Sequence, residues 1–302
     1  MIVPWLRGFL KSDLVPLTWT LIFLNCCFFL MTHNAVGENS HDSFFTDPHK
    51  FELTSRLYFQ YLGNSELPTK EQTLSFGMRA LRDAKFINEA DKFEFKGDQV
   101  AIQAWKKGLI EFRENLERHP SLIFGLSWNR KQPLTWITYQ FMHAGWMHLL
   151  GNMLMLLIFA GALEIQIGGL GVVSIYLFSG IAGALGFLIL GEPTLAPMVG
   201  ASGALSGLMS FYVVYERKKR VPFFYFLSPI EGFYGKLWLP VWMIFPLFFV
   251  ADIAAYFGTV AEFGSGVAYT AHIGGMVFGL VIGFIAKKWI RPRPTDYSQV
   301  LS

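Results

Sequence analysis

Residues 147–167 read MHLLGNMLMLLIFAGALEIQI, an apolar run as long as the roughly 20 residues a helix needs to cross a bilayer, with one acid near its end. Five further runs of this kind lie at 14–31, 170–190, 199–215, 237–257 and 268–285, so the chain reads as an all-α, polytopic membrane protein with six spans. Composition agrees, since 53% of the 302 residues are hydrophobic and only 16% are charged, against about 25% charged in soluble domains. A net charge of +3 carried by scattered residues offers no nucleic-acid-binding surface. Cys26 and Cys27 are adjacent inside the first run, where they behave as small hydrophobes and form neither a disulfide framework nor a metal site.

The run at 199–215 is short and rich in small residues, GASGALSG from Gly200 to Gly207. That suits a helix at the centre of a bundle, where backbones approach closely, better than one facing lipid. Basic residues then orient the spans. With the N-terminus cytoplasmic, every Lys and Arg outside 35–145 falls on the cytoplasmic face, from Arg7 and Lys11 through Arg217-Lys218-Lys219-Arg220 to Arg291 and Arg293. A loop as long as 35–145 crosses whatever its charge, so both termini are expected in the cytoplasm. The run at 14–31 exceeds a signal-peptide core and no small-x-small cleavage site follows it, so it is expected to stay as an anchor. No Arg-rich, acid-poor transit peptide is evident, and a bacterial cytoplasmic membrane is the expected location.

Segment 35–145 is charged and is expected outside the bilayer. Helical apolar spacing recurs at 51–62 (Phe51, Leu57, Tyr58, Tyr61, Leu62), at 74–86 and at 100–116 (Ala101, Trp105, Leu109, Phe112, Leu116), which predicts a small helical subdomain. It is either an insertion without chemistry or a screen for substrates. The expected organisation is a cytoplasmic N-terminus with the first span (1–34), a helical insertion in the first outer loop (35–132), a core of spans two to six (133–288) and a basic cytoplasmic tail (289–302).

Polar side chains in hydrocarbon are costly and point to function. Five stand out: His143, His148, Asn152, Ser202 and His272. In the topology above, the starts of the second, fourth and sixth spans face outward, which puts all five at one level of the bundle. His148 and Asn152 are four apart, share a helix face and can donate to one point, whereas His143 and His148 are five apart and diverge. No HExxH occurs and carboxylates are nearly absent from the spans, so zinc chemistry is not expected. Ser202 opens a helix whose free amides lie beside its hydroxyl, and His272 is the leading base. Gly275 and Gly279 form a GxxxG face that lets the His272 helix approach the small-residue fourth span, bringing His272 to Ser202. Each group also has a plain structural reading: Ser202 as a packing serine, Asn152 as a bridge between helices, the glycines as packing alone. Their coincidence at one depth favours a site.

These residues resemble the rhomboid family of intramembrane serine proteases over about residues 133–288. His143-x4-His148-x3-Asn152 is similar to the family's HxxxxHxxxN, Gly200-Ala201-Ser202-Gly203 to its GxSG, and Ala271-His272 with Gly275 and Gly279 to its AH and GxxxG. The resemblance implies a six-helix bundle with Ser202 as nucleophile and His272 as general base, without a third carboxylate or any cofactor. It also implies an oxyanion site made by His148, Asn152 and the Ser202 amide, with His143 in support, and single-span membrane proteins as substrates. Leu134 and Thr135 stand where many members have Trp-Arg, and Ser206 where some have a tyrosine that stacks on the histidine. Glu164 resembles a structural acid of the family that caps or pairs with neighbouring helix ends; Asp252 has no counterpart role. A catalytically silent binder of membrane clients is the alternative, and a small transporter a more distant one, since its paired inverted halves are not visible in the sequence.

Overall fold

The structure is a computed structural model, described for residues 2–4, 13–33, 47–64, 68–80, 83–128, 132–191, 197–226, 234–244, 246, 250 and 269–289. Among the described residues, four helices are long and apolar enough to cross a membrane: α1 (Pro16–His33), α8 (Trp146–Ile167), α9 (Gly169–Leu190) and α11 (Tyr269–Trp289). A shorter helix, α10 (Ser202–Tyr215), is buried along nearly its whole length among them. This is a helical membrane bundle.

Glycine sets how closely α9, α10 and α11 pack. A Cβ on Gly275 would strike the Gly203 carbonyl, and one on Gly279 the Gly207 carbonyl, so α11 runs parallel to α10 at backbone contact. On its other side α11 meets α9, where a Cβ on Gly186 would strike the Thr270 carbonyl and one on Gly274 the Ala182 carbonyl. The first helix is held differently. Glu164, buried near the end of α8, accepts hydrogen bonds from Leu17 N at 2.9 Å, Thr18 N at 2.7 Å and Thr18 Oγ1 at 2.7 Å. The carboxylate thereby supplies acceptors to the first-turn amides of α1, which have none within their own helix.

Between α1 and α8 lie α2 (Pro48–Tyr61), α3 (Lys70–Ala80), α4 (Ala84–Glu89), α5 (Gln99–Arg118), α6 (Pro120–Phe124) and α7 (Thr135–Thr138). Helices α2 to α5 share a core of Leu57, Tyr58, Ala80, Phe86, Ile87, Trp105 and Leu109. Trp105 Nε1 donates to Thr54 Oγ1 at 2.8 Å across it. The helix expected over 74–86 is divided, because the Asp83 side chain accepts from Lys85 N and Phe86 N and so starts α4 afresh. Leu62, counted in the helical apolar spacing, lies just past the end of α2 and is exposed.

Two expectations need correction. The chain is not all-α: β1 (Ile2–Pro4), β2 (Arg220–Phe226) and β3 (Tyr234–Pro240) form an antiparallel sheet in the order β1-β2-β3, with Ile2 opposite Tyr225 and Phe223 opposite Leu237. The run at 237–257 therefore does not begin as a helix. Its residues 237–240 are strand, and Val241–Met243 form a 3-10 turn. Pro240 resists incorporation into a helix interior, and the aromatic-rich stretches Arg220–Phe226 and Tyr234–Pro240 satisfy their backbones by pairing with each other. Most of the remainder of that run, including Asp252, lies outside the described residues.

Candidate active site

The approach to α10 is fixed before the helix begins. Leu126 and Met198 exchange backbone hydrogen bonds of 3.0 and 2.8 Å, and Gly200 N donates to Tyr139 O at 2.9 Å. Gly200 has φ +127°, which L side chains rarely adopt, so Val199, Gly200 and Ala201 precede the helix although they belong to the expected span. Ser202 is the first helical residue. The first intrahelical bond here runs from Leu205 N to Ala201 O at 2.9 Å, leaving the amides of Ser202, Gly203 and Ala204 without an acceptor in their own helix.

His272 lies in the first turn of α11, and its Nε2 is 2.8 Å from Ser202 Oγ. Tyr269, one turn earlier, sets its ring nearly perpendicular to the imidazole, with centroids 6.0 Å apart and an interplanar angle of 86°. Ser206, at the position where some rhomboids have a tyrosine, instead donates to the Ser202 carbonyl at 2.8 Å. An aromatic neighbour for His272 thus comes from its own helix.

His148 lies across from Ser202. A Cβ on Gly200 would sit 2.9 Å from His148 Nε2 and 3.8 Å from Ser202 Oγ, so glycine is required by space as well as by φ. The Ala144 amide reaches His148 Nδ1 at 3.5 Å, a long contact that favours the proton on Nε2, the ring nitrogen nearer Gly200. His143 is buried with its ring edge against His148 at 5.2 Å. Asn152 follows His148 by one turn on α8; it is buried, and its Nδ2 has no acceptor among the described residues. A buried amide donor of this kind is costly unless it has a use.

Three tyrosines were not singled out from the sequence. Tyr139 Oη donates to the Gly180 carbonyl at 2.6 Å, and Tyr176 Oη donates to the Gln140 carbonyl at 3.1 Å while receiving Asn25 Nδ2 at 3.4 Å. Their partners are 36 to 151 positions away in sequence, so no local pattern marks them. Tyr269 did leave a signal, its three-residue spacing from His272 on one helix.

A hydroxyl and an imidazole in direct contact at the starts of two parallel, apolar helices define an integral membrane protein with a Ser–His pair set into its bundle. The family model of the rhomboid domain matches residues 130–289, and the chain belongs to the rhomboid family. It is 32% identical over 163 residues to Rhomboid-related protein 2 of Mus musculus, covering 51% of this chain and 48% of that protein. It is 30% identical over 144 residues to Rhomboid-like protease 5 of Toxoplasma gondii, covering 48% and 15%. Over 77 residues it is 42% identical to Putative rhomboid protease YdcA of Bacillus subtilis (strain 168), covering 26% and 38%. The chain thus spans about half the length, or less, of these curated relatives.

Proposed function

We propose that this rhomboid is an intramembrane serine endopeptidase that cleaves single-span membrane proteins without a cofactor. The observation that carries this reading is the 2.8 Å contact between His272 Nε2 and Ser202 Oγ. In the proposed reaction, His272 takes the Ser202 hydroxyl proton as Oγ attacks the scissile carbonyl carbon. The oxyanion is met by the Ser202 amide and by His148 Nε2 and Asn152 Nδ2, with His143 behind His148. Donors of this type are worth about 3–4 kcal/mol each in the transition state. On collapse the C–N bond breaks, His272 hands its proton to the departing amine, and water then releases the acyl group by the same route.

The scissile peptide must leave its helix before its carbonyl is accessible, so substrates with small or helix-weakening residues near the cut are expected. The dyad end of the bundle is taken as the outer face of a bacterial cytoplasmic membrane, with both termini inside and the 35–132 insertion outside; the excess of basic residues at the opposite end supports this orientation.

Wild type and Ser202→Ala, reconstituted with a tagged panel of single-span segments, test the reading. A fragment made by wild type and absent with Ser202→Ala is the expected result. Equal cutting by both removes Ser202 as nucleophile. Inertness of both, with client segments still co-purifying, establishes the silent binder instead.

A further inference from the structure

Away from the dyad, where α10 ends, the chain enters the β1–β2–β3 sheet. Its root is tied to the helices where Val241 N donates to Lys219 O at 2.9 Å, just after α10 ends. Leu237 and Trp238 are adjacent on β3 and so point to opposite faces, yet they are 49% and 53% exposed; Trp242, just beyond the strand, is 54% exposed. An antiparallel sheet ordinarily offers water one polar face, and this one presents large apolar side chains on both.

Basic groups gather at the same root. Lys287 Nζ donates to the Val214 carbonyl at 3.2 Å and Lys219 pairs with Glu216 at 2.8 Å, so these two serve the ends of the helices. Arg217, Lys218 and Arg220 are exposed and form no ion pair among the described residues.

We propose that this sheet dips into the headgroup layer of the membrane face opposite the dyad, with Leu237, Trp238 and Trp242 among the lipids and Arg217, Lys218 and Arg220 on anionic headgroups. A folded partner protein covers one face of a sheet, whereas lipid surrounds both. Trp favours this depth, and cations at an anionic surface strengthen binding by about fivefold each. With β1 and β3 as its edge strands among the described residues, the sheet does not suit the hydrocarbon itself, where edge amides and carbonyls would lack partners. The inference is independent of the proposed catalysis.

The test uses the full chain with Cys26→Ser and Cys27→Ser, carrying Leu237→Cys or Trp238→Cys labelled with a nitroxide. It is reconstituted in phosphatidylcholine vesicles with or without phosphatidylglycerol. Power saturation should show oxygen exceeding a water-soluble nickel chelate as relaxant at both sites. A dominant nickel effect at either site means a hydrated sheet, and exclusion of both reagents means a protein cover; each overturns the proposal. Phosphatidylglycerol should raise the oxygen-to-nickel ratio in this background, and the added triple variant Arg217→Gln, Lys218→Gln, Arg220→Gln should lose that rise. A ratio indifferent to phosphatidylglycerol before the triple variant is introduced overturns headgroup binding without relying on that variant's folding.

Discussion

The carbonyl of Tyr139 accepts the amide of Gly200 at 2.9 Å, joining the turn before α8 to the loop that delivers Ser202. The same tyrosine anchors its hydroxyl on the Gly180 carbonyl in α9, so one buried residue ties the loop before Ser202 to a second helix. Tyr139→Phe removes only the hydroxyl bond. It is expected to lower stability by about 0.5–1.5 kcal/mol and to slow fluorophosphonate labelling of Ser202 by up to about tenfold. Comparing melting temperature with labelling rate on the same samples checks both.

Backbone contact between α10 and α11 leaves no room for a methyl group at Gly275 or Gly279. Gly275→Ala and Gly279→Ala should each cost about 1–3 kcal/mol, and Gly275→Ala, nearer the dyad, should lose more activity. Gly151→Ala on α8 meets nothing within 4 Å and should be neutral or stabilising, by up to about 1 kcal/mol. Thermal melts of the three variants in one detergent decide the matter.

Glu164 provides the acceptors for Leu17 N, Thr18 N and Thr18 Oγ1, and nothing else in α8 substitutes for a carboxylate there. Glu164→Ala should destabilise the bundle by at least about 1.5–3 kcal/mol. Proteolysis within α1 should accelerate before α8 to α11 become susceptible, which limited digestion read by mass spectrometry would show.

Between α1 and α8, burial acts to raise the Asp91 carboxyl, but the Arg113 hydrogen bond and charge outweigh it and hold the group below its ordinary value. A depressed folded-state pKa means stability that is complete above about pH 4, the unfolded value, and is lost as pH falls through the folded one. Arg113 also donates to Asn88 O at 3.1 Å. Arg113→Met should therefore cost about 1–2 kcal/mol at pH 7 and less at pH 3. Denaturant melts at the two pH values, followed by tryptophan fluorescence, provide the comparison.

How far the sequence could be read depended on the range of the physics at each position. The apolar runs at 14–31, 147–167, 170–190 and 268–285 coincide closely with α1, α8, α9 and α11, because hydropathy over some 20 residues reports directly on burial in lipid. The start of the run at 237–257 misled, since a few apolar residues such as 237–240 look alike as strand or helix and only pairing with Arg220–Phe226 distinguishes them. Asp83 carried a capping signal inside a helical pattern, and the pattern concealed it.

For the candidate site, residue chemistry singled out Ser202, His272, His148, Asn152 and His143, because polar side chains are costly in a membrane and stand out against its apolar runs. The small residues at Gly200, Gly275 and Gly279 marked where backbones would approach, without saying what they would approach. Only the folded chain determined that Gly200 makes room for the His148 ring, that Tyr269 flanks His272 and that Ser206 turns back on its own helix. Composition and spacing act along the chain and survive in the sequence; contacts such as Tyr139 with Gly180, or Glu164 with Thr18, exist only once packing has brought distant helices together.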